Sequence, residues 1–325
     1  MKLLIIGAAG MVGRRLAENI LKTGKVGDKP VDALTAFDVF PADLSSTDAI
    51  AVKVLSGDIA DRATVDGLVA DRPDVIFHLA AIVSGEAEAD FDKGYAINMD
   101  GTRHLFEAIR AQGPDYHPRV VYTSSIAVFG APFEEKITDT FITAPMTSYG
   151  AQKMIGELLL NDYSRKGFFD GVGIRLPTIV VRPGKPNKAA SGFFSGIIRE
   201  PLAGMDAELP VEDDVRHWFA SPDAAVGFLL HAATMDTAQL GVRRCLTMPG
   251  LSLTISEVLD ALREVAGADA VARVKRVPNE TIRTIVAGWP TDFSPERALA
   301  AGFTADPDFQ SIIRAHIRDT ADAAG

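Results

Sequence analysis

Lys2-Leu3-Leu4-Ile5-Ile6-Gly7-Ala8-Ala9-Gly10-Met11-Val12-Gly13 opens the chain and decides how the rest is read. Its apolar run is short and unbroken, as in a parallel strand buried on both faces. Three glycines at Gly-x-x-Gly-x-x-Gly spacing follow, and the stretch from Arg14 to Thr23 reads as a helix. Gly7 permits a tight turn, Gly10 lets the backbone approach a pyrophosphate, and Gly13 allows close helix–strand packing. The N–H groups at the start of that helix would face the phosphates, with Met11 and Val12 beside them. The segment predicts the first strand, turn and helix of a dinucleotide-binding fold.

The next segments repeat the strand–helix alternation. A second strand over Val31 to Phe40 carries Asp38 near its end. An acidic residue there accepts both ribose hydroxyls of NAD and repels the 2′-phosphate of NADP. Asp43 is the alternative, and no arginine follows Asp38, so the expected cofactor is NAD. Val52 to Leu55 reads as the third strand, and its exit turn places Asp58 to reach the adenine amino group, with Ile59 packing on the ring. The fourth strand, Val75 to Ala81, ends in Leu79-Ala80-Ala81, where small side chains let a dinucleotide lie close to the backbone. His78 within it reads as a packed core histidine. Ser84 to Asp90 is polar and loop-like, suited to one wall of a substrate pocket. Tyr95 to Ala111 reads as one long helix with Asn98 along it. Val120 to Ser125 is the fifth strand and Val172 to Leu176 starts the sixth.

Ser148-Tyr149-Gly150-Ala151-Gln152-Lys153 supplies the chemistry. Tyr149 and Lys153 are four apart and share one face of a helix. A phenol, with an ordinary pKa near ~10, is a poor base at neutral pH. An ammonium one turn away is expected to favour the phenolate. The fifth strand delivers Ser124 and Ser125 to the carboxyl edge of the sheet, where one of them can hold a substrate oxygen.

The totals narrow the partners. The 325 residues carry a net charge of −10, with 47% apolar and 23% charged residues. That balance excludes a nucleic-acid backbone or an anionic membrane as the expected partner. The single cysteine, Cys245, sits in an apolar run and fits a reducing, cytoplasmic setting without disulfides. No clustered Cys/His set suggests a metal.

Taken together, these motifs resemble the extended short-chain dehydrogenase/reductase superfamily, in its NAD-dependent epimerase/dehydratase branch. The resemblance rests on Gly7, Gly10, Gly13, Asp38, Asp58-Ile59, His78-Leu79-Ala80-Ala81, Ser124-Ser125, Tyr149, Lys153 and Arg182-Pro183-Gly184. It implies Tyr149 as the acid/base and Lys153 as the holder of the nicotinamide ribose. Ser125, with Ser124 as alternative, would orient the substrate oxygen, and Asn98 and Pro177 would join the cofactor site. It also implies an α/β fold, a Rossmann-type doubly wound parallel sheet with a smaller, mostly C-terminal α/β substrate-binding domain. The expected division is 1–182 with about 215–245 for NAD, and 183–214 with 246–325 for substrate.

Two departures from that branch carry information. Dehydratases place an Asp-Glu pair where Ile126 and Ala127 stand, and epimerases commonly place an asparagine where Pro177-Thr178 stands. The segments 148–157, 171–187 and 213–218 are similar to a subgroup that oxidises the C2 hydroxyl of a four-carbon sugar acid with NAD. Such a substrate needs a cation for its carboxylate. The candidates are Arg182 and Arg216, with Ser84, Thr178, Asn187 and His217 as polar company. The alternative is a nucleotide-sugar epimerase holding NAD tightly. Relatives often dimerise through two helices, here near Tyr95–Ala111 and Tyr149–Arg165, so a homodimer is expected.

Overall fold

Alternation along the first strand builds two cores at once. Strand β1 (Lys2–Ile6) sends Leu3 and Ile5 into one apolar cluster and Leu4 and Ile6 into another, because successive strand side chains point to opposite faces. Helices cover both faces, as a parallel sheet requires. The computed structural model describes residues 1–184 and 190–322. The strands that position the site are β1, β2 (Ala33–Asp38), β3 (Ala51–Ser56), β4 (Val75–His78), β5 (Arg119–Ser125) and β6 (Asp170–Leu176). They are followed by β7 (Thr178–Ile179), β8 (Arg216–Ala220), β9 (Cys245–Thr247) and β10 (Leu251–Thr254).

Seven of these form one parallel sheet in the order β9-β6-β5-β4-β1-β2-β3. The chain reverses its direction of travel between β1 and β4, and the crevice at their carboxyl ends is where such sheets bind ligands. The Rossmann-type architecture expected from the glycine turn is therefore present.

The helices that matter are α1 (Met11–Thr23), α2 (Gly101–Ala111), α3 (Ser148–Arg165), α4 (Gly192–Leu202), α5 (Pro222–Thr234), α6 (Ile255–Ala266) and α7 (Glu280–Ala287). Two local expectations change. Residues Tyr95–Asp100 form a wide π turn leading into α2 rather than continuous α-helix. The polar stretch after Val83 is a short helix, Ser84–Ala89, whose Ala87 and Ala89 favour helix once the Val83 carbonyl accepts from Glu86 and Ala87.

A second layer stands over the carboxyl edge. Strands β7, β8 and β10 make a three-stranded sheet, parallel between β7 and β8 and antiparallel between β8 and β10. Strand β8 was expected within the Rossmann unit. Its pairing with β10 instead ties it to the C-terminal third, while α5 and β9 pack with the central sheet. Phe219 of β8 enters a cluster with Phe194, Ile198, Ile255 and Leu259, which anchors α4 and α6 over the crevice. No helix among the described residues is long and apolar enough to cross a membrane.

Candidate active site

The cradle at the end of β1 is built from backbone. Gly7 adopts φ +97°, and a Cβ on Gly13 would lie 2.0 Å from the Gly7 carbonyl oxygen. Only glycine at position 13 lets α1 start this close to the turn. Gly10 caps α1 without any side-chain bond, and no acidic residue occupies the first helical turn. The free N–H groups and the positive end of the helix therefore suit a phosphate. Asp38, at the end of β2, accepts from the Ala9 and Val39 amides at 2.9 and 2.7 Å. This fixes its carboxylate at the cradle's edge, where NAD's ribose would lie. These features fit a dinucleotide.

The other expected cofactor residues divide. Leu79 and Ala81 line the same cavity as Gly7, Gly10, Met11, Val12 and Gly13. Ala80 donates its amide to the Ile6 carbonyl and abuts Gly7. Asp58 is exposed, with its carboxylate accepting from the Ala60 amide. Ile59 departs from expectation: its side chain is buried against Gly101 in the core, so it presents no apolar face for a ring. Asn98 also departs. Its amide group bonds Ile82 twice and Gln152 once, fixing the loop after β4 against α3 rather than lining the cavity. His78 is a buried core residue bonded to Thr102, as read from the sequence.

The catalytic helix is set by one close approach. A Cβ on Gly150 would meet the Ala127 carbonyl oxygen at 2.2 Å. Glycine there lets the start of α3 touch the turn after β5, and Thr147 caps it by accepting from the Gly150 amide. Tyr149 is thereby brought beside Ser125, at the floor of a cavity of about 490 Å³. Strand alternation separates the two hydroxyls. Both serines line the cavity, Ser125 with its hydroxyl next to the phenol and Ser124 with its hydroxyl donating to Glu157 at 2.6 Å.

The electrostatics differ from the simple tyrosine–lysine picture. Burial pushes the Tyr149 phenol up to about 12, and the opposing influences are the Arg182 charge and the Ser125 hydroxyl. Burial pulls the Lys153 ammonium down to about 7, against the Glu157 carboxylate. Lys153 Nζ donates to the Thr123 carbonyl at 2.8 Å and stands 5.8 Å from the Tyr149 ring centre. Arg182 is therefore the cation that favours the phenolate here.

The two arginine candidates separate cleanly. Arg182 lines the cavity and is held by the Ile179 carbonyl at 3.0 Å and the Ser191 hydroxyl at 3.3 Å, and burial pulls its pKa below the ordinary value. Arg216 is a correction. It precedes His217 on β8, and alternation turns it away from the cavity into bonds with the Ser252 carbonyl and Glu257. His217 faces inward, 2% exposed, stacked on Phe194 at 4.7 Å and 7°. Burial, with the Arg182 charge adding to it, takes its pKa down to about 3, so the ring is neutral.

His217 Nε2 lies 2.6 Å from the Thr178 hydroxyl, and Nδ1 has no partner among the described residues. An orphaned buried N–H is rarer than an orphaned acceptor. We assign the proton to Nε2, which leaves the Thr178 hydroxyl hydrogen free to donate into the cavity. Ser84 and Pro177 also line the cavity. Asn187 lies outside the described residues.

Sequence reading missed Ser191 and Trp289. Trp289 follows α7, more than a hundred residues from the catalytic helix, and closes the wall beside His217 with ring centres 5.4 Å apart. Nothing local to 288–290 signals this; only the packing of the C-terminal third brings it in.

A doubly wound sheet with a glycine cradle, and a tyrosine, serine and lysine at its carboxyl edge, defines a nicotinamide-dependent oxidoreductase. The NAD dependent epimerase/dehydratase family model matches residues 3–241. The D-erythronate dehydrogenase of Cupriavidus necator is 45% identical over 323 residues, covering 98% of both chains. That of Haemophilus influenzae is 41% identical, covering 98% of this chain and 99% of its own. A crystal structure described as the nucleoside-diphosphate-sugar epimerase of Agrobacterium tumefaciens superposes with a TM-score of 0.96 at 58% identity, over 98% of this chain and 94% of that one. The chain belongs to the NAD dependent epimerase/dehydratase family, and NAD is its cofactor.

Proposed function

We propose that this chain oxidises the C2 hydroxyl of a small sugar acid, D-erythronate first among them, to the 2-oxo acid. The observation that carries the reading is the half-buried Arg182 in the cavity of Tyr149 and Ser125. A carboxylate on Arg182 places the adjacent carbon's hydroxyl at Tyr149. The two whole-length relatives named D-erythronate dehydrogenase support the choice of acid. NAD, when bound, supplies the hydride acceptor. Tyr149 Oη takes the hydroxyl proton, Ser125 holds the oxygen as it becomes a carbonyl, and Lys153 would hold the nicotinamide ribose. Thr178 donates to a further oxygen of the acid, and Arg182 anchors the carboxylate.

In this reading residues 1–182, with α5 and β9, hold NAD, and the described residues of 183–214, with β8 and 248–322, close over the acid. A homodimer through α2 and α3 belongs to the same proposal; Leu158, 56% exposed on α3, supports it. A cytoplasmic setting accords with the single, buried cysteine. The second reading, an epimerase, rests on the name of the Agrobacterium structure. It would return the hydride to the same substrate and give no net reduction.

The test follows NADH absorbance with NAD and a panel of four- to six-carbon aldonates. NADH accumulating with D-erythronate supports the proposal. Silence with every acid, together with epimerisation of a UDP-sugar by protein that copurifies with NAD, replaces it with the second reading. Tyr149→Phe should lower kcat by about 10²–10⁴ while NAD still binds.

A further inference from the structure

Behind the catalytic pair lies a buried polar cluster that the reaction described above does not use. Glu157 sits one turn beyond Lys153 on α3 and is 1% exposed. Its carboxylate accepts from the Ser124 hydroxyl at 2.6 Å and from Arg175 Nε and a terminal Arg175 nitrogen at 2.8 and 2.7 Å. Ser124 and Arg175 are register partners on β5 and β6, each the last residue but one of its strand. The next residue of β5 is Ser125, which faces the reacting oxygen. One carboxylate thus spans two strand ends and the helix that carries Tyr149 and Lys153.

The surroundings make this carboxylate matter electrostatically. From β5, the Thr123 carbonyl accepts from Lys153, and the Tyr122 ring lies under Nζ at 5.0 Å. From β4, His78 is fully buried and neutral, its pKa taken down to about 3 by burial, with the Lys153 charge adding to it. From β9, the Cys245 thiol is pushed well up by burial and stays protonated. Arg175, from β6, spends its charge on Glu157 and packs over the Phe129 ring at 5.0 Å. Tyr149 precedes Lys153 on α3 as a neutral phenol. Among the charged groups here Glu157 alone favours the Lys153 ammonium, beside the neutral Thr123 carbonyl and Tyr122 ring face.

We propose that Glu157 is a positioning residue for the catalytic pair: with Ser124 and Arg175 it locks the ends of β5 and β6 to the helix, and it provides the buried counter-charge of Lys153. The proposal rests on the reading of Tyr149 and Lys153 as the catalytic pair, and its primary readout needs no substrate. A purely structural ion pair would hold the fold together and leave Lys153 untouched. A positioning carboxylate sets the charge on Lys153 as well.

The experiment follows the Lys153 side-chain carbon signal by NMR against pH in the full chain labelled with ¹³C-lysine, assigned through Lys153→Met. In Glu157→Gln the titration midpoint should fall by about one unit, the smaller end of what an opposite charge supplies. Because Glu157→Gln leaves Arg175 buried without its carboxylate, the double variant Glu157→Met with Arg175→Met restores apolar packing and keeps the question open to measurement. There the Arg175 charge leaves together with the carboxylate, so the midpoint should stay closer to native than in Glu157→Gln, and the readout is a kcat loss larger than any change in KM. A folded double variant with an unchanged kcat overturns the proposal. So does a Glu157→Gln protein that titrates like the native chain. The titration does not depend on which acid is the substrate, so failure of the substrate assignment is read separately, in the NADH assay.

Discussion

The cradle at residues 7–13 and the wall made by Thr178, Arg182, His217 and Trp289 face each other across one cavity, yet they are built by opposite means. The cradle is contiguous, and its working parts are backbone amides and absent side chains. The wall draws side chains from three separate segments, and each works because of what surrounds it. A backbone site recognises what all dinucleotides share. A side-chain wall can be re-lined without disturbing the sheet, so substrate choice within one fold is decided there.

Substitutions can break this division or sharpen it. Arg182→Met should reduce kcat/KM for the acid by about a hundredfold, the cost of leaving a buried carboxylate unpaired. It should also move the pH profile in a defined direction. Oxidation needs the phenolate, so activity rises with pH, and the Arg182 charge lowers the pH at which it rises. Without it the ascending limb shifts to higher pH. An unmoved limb would mean that the wall does not reach the acid/base chemistry.

Gly13→Ala attacks the cradle alone. The new methyl, 2.0 Å from the Gly7 carbonyl, forces α1 back from the turn, an overpacking cost of about 1–3 kcal/mol. Calorimetry should register weaker NAD binding, with KM for the acid at saturating NAD nearly unchanged. A selective loss of the acid instead would show that cradle and wall are not separable.

A smaller effect is expected at Thr178. Thr178→Val removes the donor oriented by His217 and should cost about tenfold in kcat/KM for a hydroxylated acid. Thr178→Ser should retain the activity. A 2-hydroxy acid lacking further hydroxyls should hardly distinguish Thr178→Val from the native chain. Equal losses on both substrates would place Thr178 on the reacting oxygen or the carboxylate.

The smallest effect tests the strand alternation itself. Arg216→Met removes a half-exposed pair with Glu257 and should change stability by within about 0.5 kcal/mol and leave kcat/KM unchanged. A large loss of activity would return Arg216 to the substrate.

The pattern of agreement follows the same physical line. The glycine turn, the strand end that carries Asp38 and the shared helix of Tyr149 and Lys153 were legible as local geometry because each depends on neighbours within a few residues: a turn, a strand end, one helical repeat. Ile59 and Asn98 were misplaced because whether a side chain points into the core or the cavity depends on the helix packed above it, here Gly101 over Ile59 and Gln152 against Asn98. Arg182 and Arg216 looked alike as basic residues in motif-rich segments. Their separation came from β8 pairing with β10, which fixed the face to which odd and even residues turn.

By itself the sequence determined a parallel nucleotide-binding sheet, its cofactor and the one-turn pairing of Tyr149 with Lys153, because period, turn chemistry and one-turn spacing are properties of the local chain. Only the tertiary structure decided that Ser125 stands beside Tyr149 and that Arg182, not Arg216, lines the cavity. It also brought Trp289 to the wall and set Ser124 and Arg175 on the Glu157 carboxylate. Those choices depend on burial and charge, which act across space between segments that the chain keeps far apart.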